Sequence, residues 1–152
     1  MDVVLRRALA ADAAAVSHVI LTTLRVTSAQ DYPAQVIEQV ALSFGPDQVA
    51  QLIASRDVYL AYRGQEVLAT ASLDGNVVRS VFVLPTQQGQ GIGQQLLALL
   101  EQAARGRGID TLWVPSSVTA QGFYARLGFT LEREQHHGAE RTLVMKRVLG
   151  QA

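Results

Sequence analysis

One stretch of the chain concentrates chemistry that backbone groups can perform: Val81-Phe82-Val83-Leu84-Pro85-Thr86-Gln87-Gln88-Gly89-Gln90-Gly91-Ile92-Gly93-Gln94. Glycines in a turn let successive N–H groups point at one spot with no Cβ in the way. A helix opening at that turn adds its unsatisfied first amides and the positive end of its dipole. Gly89, Gln90, Gly91, Ile92, Gly93 and Gln94 therefore read as an anion site that needs no lysine or arginine, and polyphosphate is the natural ligand. Two common polyphosphate loops do not fit. A nucleotide-hydrolase loop ends in Gly-Lys-Ser/Thr, whereas Gly93 is followed by Gln94 and Gln95. A dinucleotide fingerprint needs glycine at its first, third and sixth positions; the sixth is Gln94 counted from Gly89 and Leu96 counted from Gly91. The spacing that does fit is Gln88-x-x-Gly91-x-Gly93. Glycines in a strand–turn–helix segment also occur for purely structural reasons, so the surrounding elements carry weight.

Those elements alternate in a readable way. Val3 to Ala8 reads as a strand, and Asp12 caps a helix with Val16, Val19, Ile20 and Leu24 at helical spacing. Pro33 suits a first helical turn ahead of Val36, Ile37 and Val40. Phe44-Gly45-Pro46-Asp47 breaks that helix, and a short one follows with Val49, Leu52 and Ile53. Val58–Tyr62, Val67–Leu73 and Val77–Val83 read as strands joined by turns at Arg63–Glu66 and Asp74-Gly75-Asn76. Beyond the glycines, Leu96, Leu97, Leu100, Ala103 and Ala104 share a helix face that ends at Gly106 and Gly108. Thr111–Val114 is a short strand, Thr119–Leu127 a helix that Ser117 could cap, and strands start at Gly128-Phe129 and run from Arg141 to Val148. This order implies an α/β fold: a mixed, mostly antiparallel central sheet with flanking helices.

Composition narrows the function. The 152 residues suit a single domain, expected over 1–152. Thirteen basic and thirteen acidic side chains balance to a formal charge of +0, which argues against a dedicated nucleic-acid binder. With no cysteine there is no disulfide, no thiolate metal site and no cysteine nucleophile. No metal site is expected. No apolar run reaches the roughly 18 residues of a membrane helix, and the start of the chain shows no secretory pattern. A cytoplasmic protein with no membrane partner is the expectation.

From Val81 to Leu100 the chain resembles the GNAT (Gcn5-related) N-acetyltransferases. Their cofactor motif is an apolar strand, a proline, then Gln/Arg-x-x-Gly-x-Gly/Ala opening a leucine-rich helix. A second stretch, Ser116-Ser117-Val118-Thr119-Ala120-Gln121-Gly122-Phe123-Tyr124-Ala125-Arg126-Leu127-Gly128-Phe129, is similar to the family's Asn-x-x-Ala-x-x-x-Tyr-x-x-x-Gly-Phe. The close likeness covers roughly Val77 to Phe129. It implies an acyl-CoA N-acyltransferase-like fold in which two neighbouring strands splay apart to admit acetyl-CoA as acyl donor. The backbone of Val81, Phe82 and Val83 would bind the pantetheine arm as an added strand would; the same residues read equally as core strand. The amides from Gly89 to Gln94 would hold the pyrophosphate.

Tyr124 stands where the family places a general acid for the departing CoA thiolate. Its other reading is a core-edge tyrosine beneath Phe129. Ser117 occupies the family's asparagine position and offers a hydroxyl to the cofactor, or serves only as a cap. The family's strand glutamate is absent: its position is Leu112, so a base comes from elsewhere or from water. Asp74, Asp31, Tyr32, His136 and His137 are the candidates, each also an ordinary turn residue. Tyr32, Phe44 and Trp113 are candidates for lining the acceptor site. The expected reaction is direct attack of a primary amine on acetyl-CoA in a ternary complex. A non-catalytic acyl-CoA sensor and a nucleotide-binding α/β domain are the alternatives. The amine's identity is open, and so is a homodimer, a common state in the family.

Overall fold

Strands of alternating pattern and helices with one apolar stripe assemble here into one sheet with helices on both faces. The coordinates are a computed structural model and describe residues 2–138 and 140–150; Met1, Ala139, Gln151 and Ala152 lie outside the described residues. Strands β1 (Val4–Arg7), β2 (Asp57–Arg63), β3 (Glu66–Asp74), β4 (Val77–Val83), β5 (Thr111–Ser117), β6 (Thr130–His137) and β7 (Glu140–Val148) form a seven-stranded sheet in the order β1-β2-β3-β4-β5-β7-β6. Helices α1 (Ala13–Val26), α2 (Ala34–Ala41) and α3 (Pro46–Ser55) precede β2. Helix α4 (Ile92–Gly106) links β4 to β5, and α5 (Gln121–Arg126) links β5 to β6.

Every strand pairing is antiparallel except β4 with β5. Parallel neighbours need a crossover, and α4 provides it. Two cores result. Leu96, Leu97, Leu100 and Ala104 of α4 pack on Leu68, Leu73, Val78, Leu112 and Met145 of the sheet. Val16, Ile20 and Leu24 of α1, with Ile37 and Val49, pack on Val58 and Leu60.

Two irregularities shape the middle of the sheet. The first is a bulge in β4: Ser72 faces Arg79, but Thr70 already faces Phe82, so Ser80 and Val81 together oppose Ala71. Ser80 takes φ +55°, the sole non-glycine positive φ among the described residues. An extra residue inverts which side chains share a face. Val81 and Val83 therefore pack with Val78 in the α4 core, while Phe82 turns to the α1 side. The second is the splay of β4 from β5, whose ladder among the described residues is the single pair Val77 and Trp113.

Three expectations need correction. The strand at Thr111 does not stop at Val114 but continues through Pro115 to Ser117. Proline is tolerated there for a reason the ladder supplies. The Trp113 N–H donates to Asn76 O toward β4. By alternation the Pro115 nitrogen faces the same side, where the splay leaves no acceptor. His136 and His137 lie in strand β6, not in a turn. Asp12 precedes α1 but turns its carboxylate back to the Leu9 N–H at 2.7 Å and to Arg6, and the Arg6 guanidinium holds its pKa below the usual value.

Candidate active site

The splay between β4 and β5 opens onto a cleft of about 600 Å³. Its walls are β4 from Val78 to Phe82, β5 from Val114 to Ser117, Tyr32 before α2 and Phe44 after it, and the start of β7 at Glu140 and Arg141. Tyr124 of α5 reaches it from the other core.

Backbone direction along β4 follows from the ladder. Leu84 N–H donates to Leu68 O at 2.9 Å. Alternation then turns the Val83 N–H and C=O away from β3, toward the splay, and turns the Phe82 amide toward β3. Phe82 thus presents a ring, not an amide, to the cleft; the ring packs edge-on to Phe44 at 5.9 Å. The Val83 carbonyl accepts from Thr23 Oγ1 at 3.2 Å and from Gln88 Nε2 at 3.0 Å. Gln88 also donates to Thr27 Oγ1 at 3.1 Å. The glutamine of the glycine motif is therefore a brace between β4 and α1.

The turn that follows is built for exposed amides. Gly89 and Gly91 take φ +81° and +80°. A Cβ at either would meet nothing within 4 Å, so conformation alone demands glycine there, and the space before the turn is open. Gly91 is the N-cap of α4 and no side chain caps the helix. The first intrahelical bond runs from Gln95 N–H to Gly91 O at 3.0 Å, which leaves the amides of Ile92, Gly93 and Gln94 ahead of it. Gly93 has a different task. A Cβ there would stand 3.1 Å from Phe123 Cζ and 3.4 Å from Val83 Cγ2; its absence lets α4 and α5 approach each other beside β4. An open αL turn and three free amides at a helix start suit a pyrophosphate, and a strand with N–H groups facing a gap suits an amide-bearing arm.

Tyr124 is 4% exposed. Its ring sits edge-on between Phe123 and Phe129, at 5.2 and 5.5 Å. Its hydroxyl bonds to no described residue, yet no side-chain oxygen among the described residues is both sealed and unpaired. The hydroxyl is therefore not fully sealed, and the residue lines the cleft. Burial pushes its pKa up, so the phenol holds its proton. The packing reading and the cleft reading of Tyr124 are both true of different atoms. Ser117 also lines the cleft, and its Oγ accepts from Ala120 N–H at 3.2 Å. It ties the turn before α5 and does not cap the helix itself, which starts at Gln121.

The other candidates divide. Tyr32 lines the cleft, but its hydroxyl accepts from Val118 N–H at 2.7 Å and donates to Arg141 O at 3.0 Å. Both functions of the oxygen are engaged, and burial raises its pKa, so Tyr32 is a clasp and not a base. Asp31 accepts from Thr119 Oγ1 at 2.8 Å. Asp74 pairs with Arg79 at 3.3 Å, and His136 lies 3.6 Å from Glu134 on the exposed strand β6; with Asp31 and His137, neither lines the cleft. Phe44 lines it as expected. Trp113 does not; Lys146 Nζ lies 5.6 Å from its ring centroid.

Sequence reasoning missed Arg56 and Glu140, which both line the cleft. Arg56 follows α3 and donates from Nη1 to the hydroxyls of Ser72 and Ser80, at 3.3 and 3.5 Å. Burial lowers its pKa. Neither residue belongs to a local motif, so no sequence signal marked them.

A family model for the acetyltransferase (GNAT) domain matches residues 54–131. The chain belongs to the GNAT acetyltransferase family. No curated protein sequence matches it. Solved structures share its fold over nearly the whole chain. A GCN5-related N-acetyltransferase from Rhodopseudomonas palustris superposes with a TM-score of 0.92 at 23% identity, covering 98% of this chain and 97% of that one. PaiA N-acetyltransferase from Thermoplasma acidophilum, in complex with coenzyme A, gives 0.83 at 17%, covering 97% and 99%. YncA of Salmonella typhimurium, with its cofactor acetyl-CoA, gives 0.67 at 22%, covering 99% and 95%.

Proposed function

We propose that the protein transfers an acetyl group from acetyl-CoA to a primary amine, by direct attack in a ternary complex, within one domain spanning 1–152. The observation that carries this reading is Tyr124: its hydroxyl is protonated, has no partner among the described residues and is not fully sealed, and the residue lines the cleft beside the β4–β5 splay. Acetyl-CoA supplies an activated acyl group as a thioester. The amides from Gly89 to Gln94 hold its pyrophosphate, and outward backbone groups of Val81 and Val83 hold its arm. The Val83 N–H polarises the thioester carbonyl, as an oxyanion site does. Tyr124 gives its proton to the leaving sulfur. Ser117 is a neighbouring hydroxyl at the mouth of β5. Glu140, the carboxylate among the described cleft residues, pairs with the incoming ammonium; one proton passes to water before the neutral nitrogen attacks, and the N–H proton lost as the amide forms returns to the Tyr124 oxygen. Holding two substrates together supplies much of the rate.

No helix among the described residues is long and apolar enough to cross a membrane; we place the protein in the cytoplasm, acting on an amine and not on nucleic acid. The test is paired. Calorimetry measures coenzyme A binding, and a thiol-release assay with an amine panel measures transfer. Binding with release is expected. Binding without release from any amine would favour the sensor reading, and no binding would remove the acetyl-CoA reading altogether.

A further inference from the structure

Charge along the cleft is only partly neutralised. Four charged side chains line it: Arg56, Arg79, Glu140 and Arg141. Arg79 is paired with Asp74 at 3.3 Å and Arg141 with Glu134 at 2.5 Å. Arg56 has no ion pair among the described residues. Its only bonds to described residues leave from Nη1, to Ser72 and Ser80, and both are long. A guanidinium has five N–H donors, and its Nε–Nη2 edge has no partner among the described residues. That edge carries the two parallel donors that match the two oxygens of a carboxylate. The Asp74 carboxylate acts on Arg56 from a distance but is itself paired with Arg79, so this half-buried cation has no direct ion pair among the described residues, which is costly, and it lines the space an acceptor must enter.

Position agrees with charge. Arg56 contacts Ser80, the residue whose bulge turns β4 toward the splay. Glu140, also free of any ion pair among the described residues, lies past the end of β5: Thr142 pairs with Ser117, and Glu140 is two residues further out. One cleft of about 600 Å³ thus presents a free cation at one level and a free anion at another. That volume fits a small acceptor.

We propose that Arg56 anchors a carboxylate of the acceptor, so that the amines acetylated here belong to the amino-acid class, with an amine and a carboxylate in one small molecule. A phosphate dianion fits less well, because the remaining cleft arginines are already neutralised. The inference rests on the acetyl-CoA reading of the same cleft.

The experiment compares each standard amino acid, together with β-alanine and 4-aminobutyrate, with its own carboxamide in the thiol-release assay. Coenzyme A affinity is measured in parallel by calorimetry. In the unaltered protein at least one acid should exceed its amide in kcat/KM by about tenfold or more, because a site built around a guanidinium edge rejects the uncharged analogue. Arg56→Gln should collapse that ratio to within about threefold, through a raised KM for the acid. Arg56→Lys, which keeps charge but loses the fork, should restore part of it. Coenzyme A affinity should not move. A ratio of one in the unaltered protein overturns the proposal, as does a ratio that Arg56→Gln leaves unchanged, or coenzyme A binding with no acid turned over. Failure to bind coenzyme A is the separate result that strikes the acetyl-CoA reading and takes this proposal with it.

Discussion

Burial sets the protonation state of the Tyr124 phenol, and that state decides which role it can take. A hydroxyl whose pKa is pushed up cannot serve as a base near neutrality, but it can donate. Tyr124→Phe keeps the ring between Phe123 and Phe129 and removes only the donor. Steady-state kinetics should show kcat reduced by about 10²-fold, with coenzyme A affinity unchanged by calorimetry. The same burial gives a stability signature. Below pH 10 the phenol is neutral in both folded and unfolded chains. Above that, the unfolded chain releases the proton while the folded one retains it, so stability falls as pH rises, by about 1.4 kcal/mol per pH unit for one such group. Urea midpoints between roughly pH 9 and 11 should fall less steeply in Tyr124→Phe than in the unaltered protein. Tyr124 was legible because it stands in a motif. Arg56 was not, because only the bulge in a neighbouring hairpin brings Ser80 to it.

Among the elements, the glycine turn and the first turn of α4 separate two reasons for lacking a side chain. Gly91→Ala introduces no clash but forces a Cβ into φ +80°, a strain of about 1–2 kcal/mol. Gly93→Ala keeps an ordinary helical backbone but brings its methyl 3.1 Å from Phe123, an overpacking of about 1–3 kcal/mol. Both should lower thermal stability and weaken coenzyme A binding. Adding Phe123→Leu should recover most of the Gly93→Ala loss and none of the Gly91→Ala loss, a difference that thermal melts of the double variants would read. The element boundaries of β4 and α4 were plain in the sequence, from β-branched alternation and from a leucine stripe. The bulge was not, because a serine at positive φ carries no compositional mark. Strand β5 looked shorter than it is because Pro115 signals a stop, and only a neighbouring gap makes proline harmless there.

At the scale of the whole molecule, the N-terminal helices must be fastened over a cleft whose floor comes from the second half of the chain. Tyr32 does this with one oxygen, accepting from Val118 and donating to Arg141, residues 86 and 109 positions away. Asp31 adds a bond to Thr119. Partners so distant share no spacing a sequence can display, which is why Tyr32 read as a candidate base and proved to be a fastening. Tyr32→Phe leaves the ring and removes both bonds; the freed carbonyl is exposed and the amide half-buried, so the cost is about 0.5–1.5 kcal/mol. A merely structural role would appear as a lowered urea midpoint alone. A fastening that shapes the acceptor end should also raise the acceptor KM several-fold while coenzyme A affinity holds, since the glycine turn lies on another part of the surface. Hydrogen exchange at the Val118 amide should quicken in the same variant, and by more than at amides within β3, whose ladder Tyr32 does not touch.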